Sequence, residues 1–150
     1  MKMLTCMKQS PVQLAIACLL SLSATPALAA NGNDTWLGNT DKNWATAANW
    51  SPAVNAPPIG GDWLFFGAAG SSGTTLTNNL ANGTSLNGIT FNSGASSFSL
   101  VGTNPIVLAG GITNSSTSAQ TISFAITNTT GGRSLVTTAC GGNVTINGGL

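Results

Sequence analysis

The chain has 150 residues, four Lys or Arg and three Asp, with no His, Tyr or Glu. Past Asp62 the remaining 88 residues (150 less 62) carry a single charged side chain, Arg133. So little charge excludes electrostatic capture of nucleic acid or an anionic membrane, which needs clustered Lys and Arg, and the absence of histidine excludes imidazole-based nucleophile triads and the usual zinc ligand sets.

The segment 1–29 reads as an address. Lys2 and Lys8 form a positive start, VQLAIACLLSL from Val12 to Leu22 is an apolar core, and PALAA supplies small residues for cleavage, expected after Ala29. The apolar run is shorter than the roughly 20 residues of a membrane-spanning helix. AIAC at positions 15–18 loosely resembles a lipoprotein signal, but Ala15 stands where that pattern prefers Leu, so ordinary cleavage is expected. The expectation is therefore a secreted or cell-surface chain without a transmembrane segment of its own. Cleavage removes Cys6 and Cys18 and leaves Cys140 alone, which excludes a disulfide framework and suits a small, semi-buried residue. The 121 residues that remain (150 less 29) set Lys42 and Arg133 against Asp34, Asp41 and Asp62.

Residues 30–73 form a distinct Trp-rich segment holding Trp36, Trp44, Trp50 and Trp63, all three acids, and Pro52, Pro57 and Pro58. TWLGNTDKNWATAANWSP places turn-forming residues between the rings, and GDWLFFG closes with a strand signal. We expect an N-terminal β cap in which the rings plug the open end of whatever follows. The alternative is that Trp36, Trp44, Trp50 and Trp63 stack on a sugar ligand.

From position 74 to 150 the chain becomes a series of short β-favouring runs. GITFN offers Ile89 and Phe91, SFSLVG offers Phe98 and Leu100, IVLAGGI offers Ile106, Leu108 and Ile112, TISFAIT offers Ile122, Phe124 and Ile126, SLV offers Leu135, and VTINGGL closes the chain. Apolar residues alternate with small or polar ones, the mark of a strand with one buried face, and no window shows a helical stripe. Strands this short, without room for helical crossovers, suit a β-solenoid whose coils stack into one core; a sandwich or ordinary barrel is the competing arrangement. IVLAGGI and VTINGGL share one seven-residue figure 38 positions apart, which predicts two coils of about 19 residues and glycine corners at positive φ. Asn114, Asn128, Asn147, Thr113 and Thr127 are expected to ladder along the corners.

The stretch PIVLAGGITNSSTSAQTISFAI, Pro105 to Ile126, resembles the autotransporter-associated β-strand repeat, in which an apolar strand ending in Gly-Gly-Ile leads through an Asn/Ser turn into an AQTI strand. INGGL at 146–150 resembles a second copy, and TWLGNTDKNWATAANWSPAVNAPPIGGDWLFFG, with its NW and GDxxxF elements, is similar to the Trp-rich N-terminal segment of such proteins. The resemblance spans about 115 residues, from Thr35 to Leu150. It implies an all-β, right-handed parallel β-helix, exported as a passenger on or released from the cell surface, in a longer protein ending in an outer-membrane barrel or another anchor. Leu150 falls inside a repeat, so a segment of a longer reading frame or a truncated product is the expectation.

Chemistry-bearing motifs are absent from the sequence. No Asp follows position 62, which removes calcium-binding solenoid repeats, and neither an EF-hand loop nor a phosphate-binding loop is present. Asp34, Asp41 and Asp62 are the one set able to do paired-carboxylate work, although NDT, NTDKN and GGD place them in turn contexts where Asp bonds backbone. The expectation is a non-enzymatic structural passenger for surface display or adhesion, with no catalytic residue, cofactor or metal, and with surface glycans or another cell surface as partner. The alternative is a secreted carbohydrate-binding or carbohydrate-cleaving module using the Trp-rich segment.

Overall fold

The computed structural model describes residues 32–52, 56–129 and 141–150, together with the backbone of Leu135–Thr137. The address segment, Cys140 and the side chain of Leu135 lie outside the described residues. Strands β1 (Asn33–Trp36) and β2 (Trp50–Ser51) flank a single 3-10 turn at Ala47–Asn49. After them the chain winds as a solenoid. Strands β3 (Trp63–Phe66), β4 (Thr75–Thr77) and β5 (Thr84–Leu86) make the first coil, and β6 (Gly88–Phe91), β7 (Ser99–Val101) and β8 (Ile106–Leu108) the second. Strands β9 (Ile112–Asn114), β10 (Gln120–Ile122) and β11 (Ile126–Asn128) make the third, and β12 (Leu135–Thr137) and β13 (Val144–Ile146) continue the winding.

Every third strand stacks in parallel, giving three faces: β1-β3-β6-β9-β12, β4-β7-β10-β13 and β5-β8-β11. Each strand is too short to hold a sheet by itself, and its backbone groups are satisfied only by the coils on either side. The register turns the alternation into continuous columns. On the first face Asp34, Leu64, Ile89 and Ile112 point inward in line, and Phe66, Phe91 and Asn114 form the neighbouring column. Leu76, Leu100 and Ile122 line the second face, and Leu86 and Leu108, with Ile106 and Ile126, line the third. These apolar side chains are all buried in one core.

The coil is longer than the sequence spacing predicts. Ile106 pairs with Ile126 and Trp63 with Gly88, so each winding exceeds the expected length, the first coil by more than the second. The two seven-residue figures are not register partners, because Ile106–Leu108 lies on the third face and Val144–Ile146 on the second. What they share is a local event. A Cβ on Gly110 would run into the carbonyl of Asn87 in the coil beneath, and one on Gly148 into the carbonyl of Phe124. Close approach therefore requires the first glycine of each pair. Positive φ occurs at Gly149 (89°) but at neither Gly110 nor Gly111, which corrects the expected corner conformation for the first figure.

Thr113 stands in register on Thr90, but the expected Asn ladder does not form. Asn128 and Asn147 are exposed, whereas Asn114 is fully buried between Phe91 and Thr137 in register. Its amide donates to the carbonyls of Ser118 (3.0 Å) and Gly142 (2.8 Å), and its oxygen accepts from the amide and hydroxyl of Ser116. Gln120 completes this corner: its oxygen accepts from the Phe98 amide (2.9 Å), and its amide donates to Ser96, Ser116 and Ser118. Buried polar groups stay in a core only when satisfied in this way. The NSSTSAQ stretch thus bolts three coils together, and Ser116, which as a sequence letter reads as a plain polar turn, is part of the bolt.

The Trp-rich segment caps the column. Strand β1 extends the first face in parallel beneath β3, Asn43 bridges to Thr77 on the second face, and β2 returns antiparallel as the outermost strand. A two-residue strand ending beside Pro52 is a poor template for further pairing.

In denaturant unfolding, Leu108→Ala and Ile122→Ala should each cost about 2 to 5 kcal/mol, whereas Thr121→Ala, on the outer side of the same strand, should stay within about 0.5 kcal/mol. Ser116→Val should fall with the first pair. A small effect at Ser116 would contradict the corner network.

Candidate functional site

The structure separates the four tryptophans. Trp36, Trp44 and Trp50 are buried, and Trp63 is 40% exposed. The buried three form a plug with Phe66: Trp36 meets Trp50 edge-on at 5.0 Å, Trp50 lies 5.8 Å from Phe66, and Phe66 stacks on Phe91 at 5.4 Å. Trp44 reaches furthest, meeting Phe124 of the third coil edge-on at 5.5 Å. The Trp50 indole N–H donates to the carbonyl of Trp44 (2.7 Å), while those of Trp36 and Trp44 have no acceptor, so ring packing dominates the plug. These three rings offer no stacking face to a ligand.

The NW elements are explained by Asn49 and Asp41. The buried Asn49 amide donates to the Asp41 carboxylate (2.8 Å) and to the Asn43 carbonyl (3.0 Å), and its oxygen accepts from the Thr40 and Asp41 amides. The Asn43 amide at 2.7 Å and then the Thr46 hydroxyl and Asn49 amide hold the Asp41 carboxyl below the usual range. Asp41 is a turn clamp that sets Trp44 and Trp50 in place.

Asp34 and Asp62 come together at the foot of the first face. Both are fully buried. Asp62 accepts from the amides of Gly32 (2.9 Å) and Ile59 (2.6 Å). Neither oxygen of Asp34 has a hydrogen-bond partner, and burial, then the neighbouring Asp62 carboxyl, push it up to about 7. The pair belongs to the core, and a substrate has no path to it without opening the cap. Asp41 stands apart, so the three acids do not form one site. Among the described residues no three of His, Cys, Asp and Glu gather together, and no helix is long and apolar enough to cross a membrane.

Compared with protein-family models, curated proteins and solved structures, the chain matches none.

Among the described residues a shallow cleft of about 290 Å³ lies at the foot of the first face, lined by Gly32, Asn33, Gly61, Trp63 and Asn87. Trp63 stands in the outward column Asn33, Trp63, Gly88, continued by Gly111. Its six-membered ring lies where a Cβ on Gly88 would be, and 3.2 Å from where one on Gly110 would be. The six-membered ring of the indole thus sits in a slot left by glycines, with the residue still 40% exposed.

The Asp34 carboxyl gives a pH signature. Unfolded, it titrates near 3.8; folded, near 7. Below 3.8 it is protonated in both states and neutral in effect. Between the two values the unfolded chain releases a proton that the fold retains, so stability falls as pH rises, by up to about 4 kcal/mol in all. Asp34→Asn should flatten this slope and stabilise the protein above pH 7, as measured by urea unfolding across the window. A slope unchanged in the variant would contradict the raised Asp34 carboxyl.

Proposed function

We propose that this chain is an exported, non-enzymatic passenger scaffold of the autotransporter type, serving surface display or adhesion, with glycans or another cell surface as its partner. The observation that carries the reading is the sealed foot of the solenoid: a Trp-rich cap closes the column where the winding begins, directly after the proposed cleavage position. The repeat-like stretch 105–126 supports it, since its GGITN turn and AQTI strand supply the corner and the cross-coil bolt of a parallel β-helix. The near absence of charge supports it too, since export as an unfolded chain followed by stacking of short coils needs no ion pairs.

The two acids able to act together are spent on the core, and the third on a turn. This favours a scaffold over a carbohydrate-cleaving module. A stacked column also suits life outside the cell: each added coil buries apolar surface against the last and lengthens the displayed surface without a larger core.

Expressed with segment 1–29 in a Gram-negative bacterial host, the protein should leave the cytoplasm and begin at Ala30 by mass spectrometry. A double variant Leu19→Arg, Leu20→Arg should remain uncleaved. Uncleaved wild-type protein in the cytoplasm would contradict export, and hydrolysis of a polysaccharide that is lost on Asp41→Asn or Asp62→Asn would contradict the non-enzymatic reading.

A further inference from the structure

We infer that the Trp63 cleft is a binding site for a neutral saccharide, with the exposed part of the indole as a stacking platform and the flanking asparagine amides as hydroxyl partners. The inference deepens the adhesion part of the proposed function and rests on that part alone. Its basis is the way Trp63 is held. A tryptophan on the outer side of a strand ordinarily lies over its neighbours' side chains; here the register neighbour in the next coil is Gly88, and the ring fills the space that a Cβ there would occupy. The ring is therefore seated before any ligand arrives, and the ordering cost on binding is small. Part of the residue is left to solvent, which reaches 40% of it.

The polar groups around the ring are also free. Among the described residues the exposed Asn33 side chain and the Trp63 indole N–H have no hydrogen-bond partner, and Asn87 uses only its amide nitrogen, on the Gly61 carbonyl, leaving its oxygen available. Donors and acceptors beside an aromatic face match a sugar ring, which presents C–H groups on one side and hydroxyls at its rim.

Charge decides the ligand class. None of the five lining residues is ionisable, and the nearest acid, Asp62, turns inward with its oxygens on the Gly32 and Ile59 amides. A charged ligand would lose hydration and gain no counter-charge, which excludes sulfated or uronic-acid polymers as the preferred ligand. At about 290 Å³ the cleft stands at the small end of ligand sites, room for one ring of a chain that runs on across the surface.

The test is titration of the purified, processed protein with neutral oligosaccharides (cellohexaose, xylohexaose, mannohexaose and chitohexaose), followed by calorimetry and by tryptophan fluorescence, in which Trp63 is the solvent-facing indole. At least one should bind saturably, with an affinity unaffected by added salt. Trp63→Ala should weaken it at least about tenfold, and Asn33→Ala, at an exposed side chain without partners, should weaken it severalfold while the melting temperature stays put. No binding by any of the four, or binding that survives both substitutions, would overturn the inference. Export and cleavage are read separately, so a negative titration leaves the scaffold reading standing, and a failure of export leaves the titration valid.

Discussion

Parallel stacking of one coil on the next is the constraint from which everything else in this chain follows. A winding as short as that from Ile106 to Ile126, built on strands of three or four residues, cannot satisfy its own backbone or bury its own side chains. Both problems are solved by the neighbouring coil, and by the same register. Placing Ile89 over Leu64 and under Ile112 closes the hydrogen bonds and extends the apolar column in one step. Inward positions must then be apolar or fully bonded, and backbone corners must let the next coil sit close. Gly110 and Gly148 meet the second requirement, and the Asn114–Gln120 corner meets the first with polar atoms in place of apolar ones.

A stack solves these problems everywhere except at its ends, and the composition of residues 32–66 answers the first end. Large rings with few hydrogen bonds fill the column's foot, and Trp44 passes far enough inward to touch Phe124. The last inward position there is an acid, Asp34, beneath an aliphatic column. Burial, and then the neighbouring Asp62, raise its carboxyl to about 7, so the fold holds it protonated below that pH, which makes the cap the pH-sensitive part of an otherwise almost uncharged molecule. On the outside of the same face the result is the opposite: glycines at 88 and 110 leave a slot for the Trp63 ring, and the residue stays 40% exposed.

The alternation of short apolar runs was enough to place Ile89, Phe91, Leu100, Ile106, Leu108, Ile122 and Ile126 in the core, because period two survives any coil length. The coil length itself was not legible from the Gly-Gly figure, since that figure marks a local close approach that recurs on different faces. A better signal lay in LNGIT at 86–90 and LAGGIT at 108–113, which are true register partners one coil apart. The buried polar corner was invisible because Asn114, Ser116 and Gln120 carry the letters of a solvated turn, and only backbone groups of the adjacent coils make them core residues. The tryptophans read alike in sequence. In WLFF both phases of the strand are apolar, so the outward phase of Trp63 is set by its register with Gly88, a partner in the next coil.

The most direct test of the stacked register is a set of inter-strand nuclear Overhauser contacts on labelled protein. The account predicts parallel ladders linking Thr90 to Thr113, Ser99 to Thr121 and Val107 to Thr127, each pair joining strands of adjacent coils. Close Hα–Hα contacts between consecutive strands, such as Ile106–Leu108 against Ile112–Asn114, would show antiparallel hairpins of a sandwich and would contradict the solenoid.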